Sequence, residues 1–371
     1  MSAGSAAPTT AVVTNFRLLP AGRWQLGVVL KRSFRLEDGR RFVVAERQVP
    51  PEDEEATAWK PATDVVVRGS LWTYVSDGRE AIATIEIGPH RARVRATGDR
   101  VITGLSNGRA QVSEPKSFES MPLTHERCYG GFDRGAHDRL GDAVAERCTR
   151  VLGLELDDVS RFTYPRNRRG LGFYVGVDAD RLKDAPIPNL DDPNDPIEPE
   201  DLVRSSADDW LNAPVPVALD WIEPGDFPRS AHWGYPPPIG DTSTLPELRA
   251  GTVSTEEIAA RRSFPSIPAP RALCGTRFGH SGLRLHGGEE IGLDNLHASW
   301  RQIRANLPRE APAIRLQPPG CPWFDLEPQL DTVVLDLDAE RLAMVWSAKL
   351  EVAGPYPEEE LALTVTEVRW P

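Results

Sequence analysis

The 371-residue sequence predicts a mainly β fold, with antiparallel sheets or a sandwich built from N- and C-terminal strands and a proline-rich, irregular middle carrying one or two short helices. Three observations carry this expectation. Short runs rich in β-branched and aromatic residues alternate with turn signals at both ends of the chain. Proline crowds the stretch from Pro186 to Pro270, where it removes amide donors and fixes φ, so no central strand fits there. That same stretch holds Trp210, Trp221, Phe227, Trp233 and Tyr235, in which a disordered linker would be poor.

Residues 1–14 are small and polar and read as a loose arm. Residues 15–371 read as a single β unit with an N-terminal β part (15–185), a covering segment (186–270) and a C-terminal β part (271–371). In "WQLGVVLKRSFRLEDGRRFVVAERQ", Asp38-Gly39 separates two β-type runs, and Asp-Gly supplies the positive φ angles of a tight hairpin. "DVVVRGSLWTY" (64–74), "EAIATIEI" (80–87) and "RARVRATGDRVI" (91–102) continue an antiparallel pattern, and Val94 between Arg93 and Arg95 suits a strand with one wet face. In the covering segment a helix is expected from about Pro199 to Leu211. A second is expected from Ser254, where Ser254 and Glu257 form a capping box. "AIRLQ" (313–317), "DTVVLDLDAERLAMVWSAKLEVAG" (331–354) and "ELALTVTEVRW" (360–370) return to strands, with Asp338 and Ala339 near a hairpin turn. "LHASWRQIRANL" reads both ways, because Leu296, Trp300, Ile303 and Leu307 fall at helical spacing in a segment that lies between strands.

The formal net charge of −12 repels phosphate backbones and anionic lipid, so neither a nucleic-acid nor a membrane partner is expected. The local exception, Arg161, Arg166, Arg168 and Arg169, reads as a solvated or internally paired loop ahead of a phosphate site. Cys128, Cys148, Cys274 and Cys321 are widely spaced without a C-x-x-C pair, as expected of reduced thiols. The N-terminus lacks a basic and an apolar leader region, and no apolar run reaches the length of a membrane span, so a cytoplasmic location is expected.

The usual catalytic signatures are missing: there is no phosphate-binding Walker loop, no H-E-x-x-H and no dinucleotide glycine fingerprint. "GHSGL" (279–283) nears a serine nucleophile elbow but has Leu283 in place of the second glycine. His280, His286 and Glu289 are a scattered candidate metal set, weighed against three surface-loop residues. His125 with Cys128 is a candidate thiol–imidazole pair, with Arg127 near enough to lower the thiol pKa; the competing reading makes Cys128 a small core residue. A thiol- or metal-dependent hydrolase and a carbohydrate- or cell-wall-binding β module therefore stand as alternatives. No cofactor or metal is expected. In "MPLTHERCYGG" (121–131), Gly130 and Gly131 allow a close backbone approach and Tyr129 needs a hydroxyl partner, which suits a rigid corner.

"VVLKRSF" (28–34), "WKPATDVVVRG" (59–69), "GDR" (98–100), "FESMPLTHERCYGG" (118–131), "NRRGLGF" (167–173), "PNLDDP" (188–193) and "LDTVVLDLD" (330–338) together resemble domain of unknown function family 2169, bacterial proteins associated with type VI secretion. The resemblance runs from about residue 15 to 370. Its motif residues here are Lys60, Pro61, Thr63, Asp64, Glu126, Arg127, Tyr129, Gly130, Gly131, Asn167, Gly170, Gly172, Pro188, Asn189 and Asp331. Asn167-Arg168 departs from the Asn-Pro that the family often has, and the central tryptophan-rich phrases are remodelled here. The resemblance implies a non-enzymatic adaptor or chaperone that loads a secreted toxin effector onto the secretion spike, a valine-glycine-repeat protein with its tip protein. It implies no catalytic residues. Trp210, Trp221, Phe227, Trp233 and Tyr235 are the candidate interface anchors, with core plugs as the competing reading.

Overall fold

The computed structural model of the chain describes residues 11–18, 23–51, 60, 62–139, 162–176, 178–223, 225–228 and 284–371. Its main sheet has six strands. In order they are Ala11–Leu18, Arg23–Glu37, Arg341–Val352, Gln329–Asp336 and Asp64–Arg68, with Arg41–Val44 also pairing Arg23–Glu37. Strands from both ends of the sequence thus share one sheet, and the fold is mainly β as its patterning predicts. The hairpin at Asp38-Gly39 forms with both residues at positive φ, 52° and 64°. The second hairpin turns through residues 337–340, where Ala339 N–H donates to Asp336 Oδ1 at 2.9 Å.

One neighbour pair is parallel rather than antiparallel. Asp64–Arg68 runs alongside Gln329–Asp336, with Asp64 opposite Thr332 and Val66 opposite Val334. Its run of three valines records this arrangement, because a strand covered on both faces has no wet side to alternate with. Val65 and Val67 enter the large core, while Val66 packs with Trp221 and Val334 on the other face. Part of the proline-rich segment lies beside this strand: Val67 N–H donates to Leu219 O at 2.9 Å. The segment thereby meets a donor that an edge strand would otherwise leave free.

A second sheet, in the order Leu190–Asp191, His90–Thr97, Glu80–Ile87, Glu290–Asp294 and Gln302–Asn306, is antiparallel throughout. Side chains of the two sheets fill one core, with Leu30, Val67, Leu335 and Met344 from the first and Ile85, Val94 and Leu293 from the second. A three-stranded sheet, Phe324–Leu326, Ala313–Gln317 and Val365–Arg369, adds Ile314 and Leu316 to that core. A second hydrophobic core is aromatic, gathering Tyr129, Phe162, Tyr164, Phe173, Trp210 and Phe227.

Two local expectations are corrected or resolved. The expected helix from Pro199 to Leu211 is two 3-10 pieces, Pro199–Leu202 and Ala207–Asn212. Between them Val203–Arg204 pairs in parallel with Tyr174–Val175, and this sheet pairing takes the backbone groups that a continuous helix needs. The capping box that opens the first piece joins Glu198 and Asp201. The ambiguous "LHASWRQIRANL" contains the strand Gln302–Asn306, whose Ile303 and Ala305 are buried between exposed neighbours; pairing with Glu290–Asp294 overrides the helical spacing. The helix expected from Ser254 lies outside the described residues.

Leu335 is fully buried in the strand that touches both its antiparallel and its parallel neighbour. Leu335→Ala should lower unfolding stability by about 2–5 kcal/mol in urea titration, as the lost contacts leave a cavity.

Candidate functional site: a buried charged latch and a glycine corner

Lys60 and Asp64 are both fully buried, and their side chains meet at 2.8 Å. Such a pair is stable only when its remaining hydrogen-bonding capacity is filled, since removing each ion from water costs several kcal/mol. The fold fills it from distant parts of the chain. Lys60 Nζ donates to Thr332 Oγ1 at 2.7 Å and lies 4.9 Å from the centre of the Trp221 ring. Thr63 Oγ1 donates to Leu330 O at 2.7 Å and accepts from Leu285 N–H at 3.0 Å. Arg284 donates to Lys60 O at 2.6 Å and reaches Asp331 Oδ1 at 3.3 Å; Ser347 Oγ donates to the other oxygen of Asp331. Lys349 borders the cluster. Its Nζ is buried with no hydrogen-bond partner among the described residues, and burial lowers its ammonium pKa while Asp331 opposes that shift.

The motif residues Lys60, Thr63, Asp64 and Asp331 therefore come together, whereas Pro61 lies outside the described residues. Sequence reading did not find Arg284, Thr332 or Ser347. Arg284 and Ser347 lie outside the phrases that carry the resemblance, and Thr332, though within "LDTVVLDLD", gave no sign of its partner; tertiary packing brings them to the pair.

The glycine corner is the second convergence. His125–Arg127 forms one 3-10 turn, and Tyr129–Gly130 pairs in parallel with Leu171–Gly172. Gly130 (φ 150°) and Gly131 (φ 105°) have no room for a side chain: added Cβ atoms would stand 2.2 Å from Asn167 O and 2.4 Å from Gly170 O. Gly170 and Gly172 are equally closed, the first against Asn167 Nδ2 at 2.4 Å and the second against Pro188 Cδ at 2.7 Å. Asn167, fully buried, donates to His125 O at 2.7 Å and Tyr129 O at 3.1 Å. Asn189 donates to Thr97 O and Asp99 Oδ1 and accepts from Arg127 at 3.0 Å. Glu126 pairs with Arg169 at 3.0 Å.

Tyr129 Oη donates to Asp201 O at 2.7 Å, and its ring meets Tyr164 edge-on at 5.2 Å. Burial drives its phenol pKa well above the ordinary value. Cys128 belongs to the large core and Tyr129, the next residue, to the aromatic one. This corner joins the two.

Of the arginine cluster, Arg166 is buried over the Trp210 ring and bonds Tyr164 Oη, Arg168 approaches Asp226 at 3.5 Å, and Arg169 also meets Glu223 at 3.1 Å. Arg161 lies outside the described residues. Asp226 is itself almost fully buried, and its Oδ2 has no hydrogen-bond partner among the described residues. Burial pushes its carboxyl pKa up to about 6, against the pull of Arg168 and Arg169.

The candidate chemical groups fare differently. Cys128 has no solvent exposure and His125 is 3% exposed, so neither presents a reactive atom to solvent. Burial lowers the His125 pKa and favours the neutral imidazole. His286 is exposed, and the Glu289 carboxylate accepts the N–H groups of His286 and Gly287 in a local turn. His280 and the "GHSGL" phrase lie outside the described residues. Among the described residues no three His, Cys, Asp or Glu side chains converge as a metal set.

The interface candidates are corrected: Trp210, Trp221 and Phe227 are 3%, 9% and 2% exposed and act as core plugs. Trp210 meets Phe227 edge-to-face at 5.9 Å within the aromatic core. Trp233 and Tyr235 lie outside the described residues.

Fold and site define a β-rich protein whose charged and glycine-rich phrases are buried structural joints between two cores. The chain belongs to a bacterial family, described as "Uncharacterized protein conserved in bacteria (DUF2169)", which it matches over residues 11–347. No curated protein and no solved structure matches it.

Removing one partner of the latch leaves the other charge buried. Lys60→Met and Asp64→Leu should each cost about 3–5 kcal/mol, and the double variant much less than their sum. Denaturant titration of the four proteins checks this.

Asp226 has the opposite sign from a stabilising carboxylate. Its folded pKa of about 6 exceeds the ordinary 3.8, so ionisation destabilises the fold increasingly as pH rises from about 4 to 6. Asp226→Asn should therefore add stability on the order of 3 kcal/mol at pH 7 and almost none at pH 3, read from denaturant titration at both values.

Proposed function

We propose that this protein is a non-enzymatic adaptor or chaperone that binds a secreted toxin effector and helps load it onto the type VI secretion spike, through the valine-glycine-repeat protein or its tip. One observation carries the reading: Lys60, Asp64, Asp331, Asn167 and Tyr129 are buried and spent on bonds inside the fold, while Glu126 and Arg127 are held in ion pairs at its surface. Lys60 pairs with Asp64 and donates to Thr332, Asp331 accepts from Ser347, and Asn167 and Tyr129 hold the corner. A rigid body with its reactive types turned inward works through its surface. The resemblance of its motif phrases to secretion-associated proteins supports the same role.

With the described candidate aromatics buried, the anchors move elsewhere. Tyr74 and Val75 project from a loop, and Leu363 and Val365 stand at the C-terminal strand; all four are large apolar side chains exposed by at least 40%. Tyr74 Oη is held by His297 O, so the loop offers its apolar tip with little freedom to lose on binding. The acidic body complements a basic cargo.

Tagged full-length protein should retain an effector or spike protein encoded beside it when those products are co-expressed. Val75→Asp should weaken capture about tenfold or more while leaving the thermal midpoint within a few degrees. Failure to retain any neighbouring product would remove the adaptor reading.

A further inference from the structure

A cavity of about 280 Å³ is lined by Arg95 and Arg100 together with Pro188, Pro196, Ile197 and Pro199. The two arginines are not equivalent. Arg95 is committed: its Nε and Nη2 donate to the two oxygens of Asp191 at 2.8 and 2.5 Å, and Glu80 stands 3.8 Å from its Nη1. Arg100 spends one donor on Pro188 O at 3.1 Å. Its Nε is buried with no hydrogen-bond partner among the described residues. Burial also lowers its pKa, with Asp191 opposing and Arg95 adding to the shift, so the cation is short of compensation.

A half-buried guanidinium with an unfilled donor invites an acceptor, and a carboxylate matches its planar fork. The walls select further. Proline has no N–H, so Pro188, Pro196 and Pro199 offer a ligand apolar surface and carbonyls only. Asp191, close behind Arg95, and exposed Glu198 at the rim oppose a dianion such as a phosphate monoester. A monoanion with a small apolar group attached fits these demands. Glu198, whose carboxylate also caps the Asp201 N–H, adds an acceptor for an N–H two bonds from the carboxylate carbon.

We propose that this cavity binds the C-terminal carboxylate of a peptide whose last side chain is small and apolar, with Arg100 as the carboxylate's partner and Glu198 accepting the terminal residue's N–H. The site does not depend on the adaptor reading, because a chain terminus from any protein carries these groups.

The test uses the full-length chain and acetyl-alanyl-valine as free acid, the same peptide as its C-terminal amide, and acetate. Calorimetry measures affinity, and hydrogen–deuterium exchange locates it. The free acid should bind saturably and protect the backbone of residues 186–204, with the amide weaker by about tenfold or more. Arg100→Gln should lose the acid by a similar factor while melting as a folded protein. If that variant does not fold, the acid–amide difference in the unaltered protein decides the matter. Equal binding of acid and amide, acetate binding as tightly as the peptide acid, protection elsewhere, or no binding of the acid would each overturn the proposal.

Discussion

The buried pair of Lys60 and Asp64 is the constraint on which the main sheet depends. An ion pair without water is stable only if its geometry and outer partners are nearly complete. Here the partners come from Trp221, Thr332, Arg284 with Asp331, and Ser347, which no local structure could bring together. Asp64 and Thr332 also face each other as a strand register pair. Slipping that parallel register by one residue would turn Thr332 to the opposite face and strand the ammonium in an apolar core. The latch therefore selects one register where the neighbouring valines and leucines would accept several.

The glycine corner does for the two cores what the latch does for the sheet. A chain passing from one hydrophobic core to another must carry its backbone through a crowded gap with every donor and acceptor satisfied. Gly130, Gly131, Gly170 and Gly172 make the gap narrow enough for backbones to touch, and Asn167 fills the carbonyls left over. In the aromatic core Tyr129 meets both Tyr164 and Phe173 edge-on, and those two rings meet at a tilt.

Arg100, Lys349 and Asp226 are among the charged residues with a buried polar atom that no hydrogen bond from the described residues fills. Arg100 stands at a cavity with a donor in reserve, Lys349 is desolvated beside the latch, and Asp226 holds a carboxyl whose pKa burial has lifted. The three differ in setting. Lys349 adjoins the network that secures the fold and Asp226 lies against the arginine cluster, while Arg100 alone of them opens on a proline-walled cavity.

Much of the fold was legible from residue pattern alone. Alternating β-branched runs marked the strands, Asp38-Gly39 and Asp338-Ala339 marked hairpins, and the glycines of the corner announced a close approach, because these signals are local consequences of φ, ψ and side-chain shape. The parallel pairing of Asp64–Arg68, the break between Leu202 and Ala207, and the strand at Gln302–Asn306 were decided by partners remote in sequence. So was the fate of the aromatics: a tryptophan reads the same in sequence whether it plugs a core or meets a partner. By itself the sequence determined the kinds of residue and the periodicities that make β structure the stable answer. Which charges meet, which rings are covered and which guanidinium keeps a spare donor were decided only when distant strands packed, since desolvation and hydrogen bonding depend on neighbours that chain order does not specify.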